Sequence, residues 1–248
     1  MNTAKNRERE PFSFANLNFL GRCNVDCFFC LGKDIEEELK PHNQLKVPVG
    51  DLPNLPQFLA LCREHKVQKL YVTGQNTDSL LYRELPELVS VLQDKGFMVG
   101  LRTNGYRAGR LMATINRCDL SVGYSIHSLN PVTNKMIMGR SDFPDWDTII
   151  PATRTPRISI VLNRCNEFEF FDLLRFTARF KGHVRYVQVR RPSTDTRLKL
   201  LAPDMAAYER VYTQVANIFG PPKARLWEDA EVYDIYGQDV VFWRTVKT

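Results

Sequence analysis

Residues 14–30 read Phe14-Ala15-Asn16-Leu17-Asn18-Phe19-Leu20-Gly21-Arg22-Cys23-Asn24-Val25-Asp26-Cys27-Phe28-Phe29-Cys30. The first seven alternate, with Asn16 and Asn18 on one face, which is the period of a strand. The ten that follow carry three cysteines separated by gaps of three and two residues. Such spacing lets a short loop wrap three thiolates around one soft metal centre. A structural zinc site wants a fourth ligand, whereas a cubane iron–sulfur cluster held by three cysteines leaves one iron open. Cys62, Cys118 and Cys165 show no comparable spacing, and the nearest alternative ligand is His42. Those three cysteines are expected to be buried structural thiols.

Beyond this stretch, short apolar segments alternate with helical patterns. Strands are expected at 14–20, 69–74, 97–103, 120–128, 157–163 and 184–190. Helices are expected at 55–65, 79–95, 108–117, 145–152, 168–180 and, after Pro203, at 204–219. That order argues for βαβ units around a parallel sheet. The tail reads as a hairpin, 231–236 and 239–244, joined by a type II′ turn at Gly237-Gln238. The expectation is an α/β fold: a partial (β/α)6 barrel over about 12–192, then a C-terminal helix and β-hairpin over about 203–246. Residues 12–248 would form one domain and 1–11 a loose arm.

Strands covered by helices on both faces should be continuous apolar runs, and these are not. Val122, Tyr124 and Ile126 oppose Ser121, Gly123, Ser125 and His127; Val187 and Val189 oppose Tyr186, Gln188 and Arg190; Val99 and Leu101 oppose Arg102 and Asn104. If the apolar faces meet the helices, the polar faces line a shared interior, and a curved sheet around a polar cavity fits.

The 248 residues are 44% hydrophobic and 25% charged, close to soluble globular averages, which sets aside disorder and fibrous repeats. The longest apolar run, 58–62, falls far short of the roughly 20 residues that span a bilayer. Residues 1–8 have no apolar core of the kind a secretory signal carries. A cytoplasmic protein without a membrane partner is expected, and cysteines there point to metal or catalysis rather than disulfides. The net charge of +6 leans toward anionic partners. The stretch 175–199 holds eight Lys or Arg against one Asp, but no stacking aromatics accompany it. Nucleic acid is therefore not the expected partner.

The cysteine segment resembles the hallmark of the radical S-adenosylmethionine (SAM) superfamily: three cysteines at these gaps after strand one, with an aromatic residue, here Phe29, before the last. Weaker positions agree. Thr73-Gly74-Gln75-Asn76 stands where the family carries Gly-Gly-Glu, and Thr103-Asn104-Gly105 is similar to its frequent Thr-Asn-Gly. Ser125 and Asn163 fall where the family often contacts SAM, and Arg190 is a looser candidate for the methionine carboxylate. The resemblance implies a partial (β/α)6 barrel, one [4Fe–4S] cluster ligated by Cys23, Cys27 and Cys30, and SAM held by Phe29, Gly74, Gln75, Asn76, Asn104, Ser125, Asn163 and Arg190. It also implies an electron donor such as flavodoxin or ferredoxin, and a 5′-deoxyadenosyl radical that abstracts substrate hydrogen. Gln75-Asn76 departs from the pattern by removing a carboxylate that should face the methionine ammonium.

For the substrate, Arg102 and Arg190 with His127 in one cavity suit a carboxylate or phosphate. Arg102 and His127 are the candidate catalytic residues, His127 as a proton donor or acceptor. The expected substrate is a small polar, anionic metabolite, such as a nucleotide or natural-product intermediate. Two alternatives stand beside it: a glycyl-radical activating or peptide- or RNA-modifying enzyme, and a non-catalytic metal-binding interaction protein. The tail aromatics Trp227, Tyr233, Tyr236, Phe242 and Trp243 would close the cavity mouth or cover the open sheet edge.

Overall fold

Alternation of polar and apolar residues sets the strands, and the structure, a computed structural model, carries them in the expected order. It describes residues 14–39, 41–226 and 230–243, so the arm at 1–11 and Trp227 lie outside the described residues. β1 (Ala15–Leu20) leads through a 3₁₀ turn (Leu31–Ile35) into a single helical turn, α1 (Glu36–Leu39). Then come α2 (Leu55–Glu64), β2 (Lys69–Gln75), α3 (Leu85–Asp94), β3 (Met98–Thr103), α4 (Ala108–Ile115) and β4 (Val122–Ser125). The second half runs α5 (Pro131–Met138), α6 (Trp146–Ala152), β5 (Pro156–Val161), α7 (Phe170–Ala178), β6 (Val187–Arg190) and α8 (Leu198–Phe219), ending in β7 (Ala224–Leu226), β8 (Ala230–Ile235) and β9 (Gln238–Trp243).

One sheet runs in the order β1-β2-β3-β4-β5-β6-β9-β8-β7. Its first six strands are parallel neighbours and β9 adds parallel to β6. The C-terminal hairpin thus extends the open barrel. Val99, Leu101, Val122, Tyr124, Ile158, Ile160, Val187 and Val189 belong to one continuous buried core with residues of the surrounding helices. The opposite faces line the interior. One lateral row there is Arg102–Gly123–Arg157, and two residues nearer the strand ends lies Ser125–Ser159–Gln188.

Several expectations change. The helix expected at 79–95 is a 3₁₀ turn (Ser79–Leu81) followed by α3, because Tyr82 is extended and Pro86 opens a new first turn. α8 begins at Leu198, before Pro203; a proline this near the start removes one ladder bond without ending the helix. α5 was not foreseen, although Asn130 caps it by accepting from the Val132 and Thr133 amides, Pro131 opens it and Gly139 ends it at φ 73°. The hairpin turns at Tyr236-Gly237, with φ 57° and 76°; two positive values make a type I′ rather than a type II′ turn. Tyr233 and Phe242 lie buried in the core beside Tyr208 and Tyr212 of α8, so they cover the end of the sheet and not a cavity mouth. Cys62 and Cys118 are buried, Cys165 is half-buried, and His42 is exposed. Among the described residues no helix is long and apolar enough to cross a membrane.

Candidate active site

The cysteine loop emerges from β1 at the C-terminal end of the sheet, and its position is set from four sides. From α5, the Met138 and Ile137 carbonyls accept from the Asp26 and Phe28 amides at 2.8 and 3.1 Å. From the loop after β2, Thr77 donates to the Arg22 carbonyl at 3.2 Å. A Cβ on Gly32 would come within 2.6 Å of the Asn76 nitrogen, so these two loops touch backbone to backbone. From the loop after β3, Asn104 Nδ2 donates to Asn24 Oδ1 at 2.7 Å and approaches Cys23 Sγ at 3.8 Å. From the segment after β6, Arg197 donates to the Phe28 and Cys30 carbonyls, both at 2.7 Å.

Two carboxylates missed by the sequence reading anchor these contacts. Asp34 accepts from Thr194 Oγ1 at 2.7 Å, the Asp195 amide at 2.8 Å and Arg197 Nε at 2.5 Å. Burial alone would raise its carboxyl, but those hydrogen bonds and the Arg197 charge hold it at about 2. Asp78 is fully buried beneath Thr103-Asn104 and accepts from Thr103 Oγ1, the Leu80 amide and the Asn104 amide, the last at 2.6 Å. Burial raises its carboxyl despite these donors. Its only local signal was the helix-cap chemistry of Asp78-Ser79; nothing in the sequence ties Asp34 to Arg197.

The structure brings together Cys23, Cys27, Cys30, Phe29, Asn76, Asn104 and His127, the His127 ring meeting Phe29 edge-on at 5.1 Å. His127 is buried and its Nδ1 accepts from the Val161 amide at 3.1 Å, which leaves the ring proton on Nε2. Burial, and then the nearby Arg190 charge, lower it to about 3, so the ring is neutral near pH 7. Asn163 is fully buried and holds its own turn, donating to the Val161 carbonyl and accepting from the Cys165 amide. Gly74 meets a strict limit: a Cβ there would lie 2.3 Å from the Thr77 carbonyl oxygen. Ser125 ends β4 facing a small cavity lined also by Asn104, His127, Asn134 and Trp146. Arg102 lies deeper, its guanidinium against the rings of Phe14 and Tyr71, which themselves meet edge-on. Arg190 ends β6 with its Nε buried and unpartnered.

Three cysteine thiols on one short loop suit a cubane iron–sulfur cluster, which takes each sulfur on a different iron and leaves the fourth iron open. Burial pushes the Cys23 thiol up to about 11, and burial with repulsion from Cys30 and Cys23 pushes Cys27 well up. Such thiols ionise for a cationic centre that binds them, rather than for solvent.

Comparison with known proteins agrees with this geometry. The family model described as "Radical SAM superfamily" matches residues 17–154, more than half of the chain. A GTP 3′,8-cyclase from Aquifex aeolicus (strain VF5) is 25% identical over 187 residues, covering 72% of this chain and 57% of that protein. A second from Desulforamulus reducens is 24% identical over 191 residues, covering 70% and 56%. The chain thus spans little more than half the length of these relatives. Among solved structures, Streptococcus suis SuiB bound to S-adenosylmethionine superposes with a TM-score of 0.58 at 15% identity, over 84% of this chain and 44% of that one. TYW1 with a lysine-pyruvate adduct gives 0.51 at 12% identity, over 92% and 79%. With the cysteine loop, the open parallel barrel and the family match in agreement, the chain belongs to the radical SAM superfamily, whose enzymes work with a [4Fe–4S] cluster and S-adenosylmethionine.

Proposed function

We propose that this chain is a single-cluster radical SAM enzyme acting on a small, polar, anionic metabolite bound inside the barrel. The observation that carries the reading is the polar interior beneath the cysteine loop, where Arg102 and Arg157 point inward without an acidic partner among the described ion pairs. When bound, the cluster and SAM supply a 5′-deoxyadenosyl radical that abstracts hydrogen from the substrate. Cys23, Cys27 and Cys30 are the iron ligands in this reading. Gly74, Gln75 and Asn76 offer carbonyl and amide groups to the methionyl end, and Arg190 faces its carboxylate. Asn104 orients the Cys23 side of the loop, Phe29 packs near the adenine, and Ser125 contacts the ribose region. His127 enters as a neutral Nε2–H donor rather than a titrating acid, and Asn163 shapes the loop after β5. The names of the curated relatives, cyclases of GTP, support a nucleotide as the class of metabolite.

Anaerobic reconstitution tests this directly. Near four irons per chain, with 5′-deoxyadenosine formed from SAM and dithionite and lost in Cys27→Ala, is the expected result. Reconstituted protein that binds no iron would refute it.

A further inference from the structure

At the floor of the interior, rings and guanidinium groups alternate. Arg102 lies over Phe14 at 5.5 Å and over Tyr71 at 5.1 Å; Arg157 lies over Tyr71 at 5.9 Å and over Tyr186 at 5.8 Å. Tyr71 is therefore shared between two cations carried on β3 and β5. Between them in the register is Gly123, where a Cβ would stand 3.0 Å from Arg157 Nε and Nη2; the missing side chain is the room Arg157 occupies.

Aromatic contacts satisfy the flat faces of a guanidinium and leave its N–H edges to find acceptors. Here the edges are short of them. Arg157 is 5% exposed, donates through Nη1 to Gln188 Oε1 at 2.6 Å and to the Tyr186 hydroxyl at 3.5 Å, and has no partner for Nε. Arg102 Nε is buried and unpartnered too. Ser159, two residues along β5 on the same face and 7% exposed, has a hydroxyl with no partner. No described ion pair reaches either arginine. Burial lowers Arg102 to about 10, and repulsion from Arg157 and Arg190 adds to it. Two like charges, Arg157 buried and Arg102 half-buried, each with an unpartnered buried Nε, are costly to a chain that folds around nothing, and a doubly charged acceptor relieves both costs.

We infer that Arg102 and Arg157 at the barrel floor, with the Ser159 hydroxyl one pleat above them, form a phosphate-binding site, which anchors a phosphorylated substrate with its reacting end toward the cysteine loop. A single carboxylate would leave one guanidinium uncompensated, whereas a phosphate ester matches the charge and accepts from both forks. The inference rests on the interior being the substrate site, and it adds the chemical class and the anchoring residues.

The test titrates inorganic pyrophosphate into anaerobically reconstituted protein, following the thermal midpoint and calorimetric binding, with acetate alongside and SAM cleavage measured separately. Pyrophosphate is expected to raise the midpoint of the wild type, and acetate to leave it unchanged. Arg102→Gln and Arg157→Gln should each weaken binding by at least about tenfold, while the ligand-free variants melt no lower than the wild type because a repelling charge is gone. Gly123→Ala keeps every charge and crowds Arg157, so it should also weaken binding; it decides the matter if an arginine variant fails to fold. Absent binding by the wild type, equal binding of acetate, or unchanged affinity in Gly123→Ala and both arginine variants would each overturn the site. Pyrophosphate binding without 5′-deoxyadenosine would leave the site standing and refute the enzymatic reading; 5′-deoxyadenosine without pyrophosphate binding would do the reverse.

Discussion

Replacing Arg197 by Gln tests whether the segment after β6 holds the cysteine loop. The side chain is 17% exposed and reaches the Phe28 and Cys30 carbonyls and Asp34, whose carboxylate is 4% exposed. Breaking a buried pair from one side costs about 3–5 kcal/mol. Asp34 keeps its bonds from Thr194 and the Asp195 amide, so the lower end, about 2–3 kcal/mol, is expected. The acid side agrees in scale: holding the carboxyl at about 2 instead of 3.8 corresponds to roughly 2 kcal/mol before solvent screening reduces it. Because the folded value is depressed, that stability is present above the unfolded value and is lost as pH falls from about 4 through about 2. Urea unfolding at neutral pH and at steps down to pH 3 reads both effects. Arg197→Gln should unfold at lower urea at pH 7, with the gap to wild type narrowing in acid, and should retain less iron after gel filtration. An unchanged midpoint together with full iron retention would refute the argument that Arg197 positions the loop.

Three further outcomes follow from the same contacts. Gly74→Ala puts a methyl 2.3 Å from the Thr77 carbonyl oxygen; equilibrium dialysis should show weakened SAM binding with iron content retained. Asp78→Ala leaves three buried donors, on Leu80, Thr103 and Asn104, without an acceptor; a loss of about 3 kcal/mol or more in denaturant unfolding is expected. His127, lowered to about 3, should stay neutral from pH 5 to 8 in its NMR titration. Its linkage has the matching sign: stability falls as pH drops below about 6.5, because the unfolded chain takes up a proton that the buried ring refuses until about pH 3.

How much of this was legible in the sequence depends on how local each cause is. Alternation within β3, β4 and β6 marked both the apolar core and the polar interior, because a strand presents its side chains to opposite faces with a period of two residues. The spacing of Cys23, Cys27 and Cys30 marked a donor set because a loop this short keeps three thiols near one another. The signals for α5, Asn130-Pro131 and Gly139, are equally local. The extension of α8 through Pro203 and the turn at Tyr236-Gly237 went the other way, with packing and strand twist choosing between local options that the residues alone left open.

The residues that hold the site in place were beyond sequence reading. Asp34 and Arg197 are far apart in the chain and meet only because the segment after β6 returns across the cysteine loop. Asp78 looks like an ordinary helix cap until the sheet register sets Thr103 and Asn104 above it. Arg157 lies on β5, where the strand's own residues give it no role; only the register that places it across Gly123 from Arg102, with Tyr71 shared between them, does so. Sequence determined which residue types face the interior, since that is a property of each strand alone. Tertiary structure decided which charges meet there without partners, since parallel strands pair across long connections whose geometry no single segment contains.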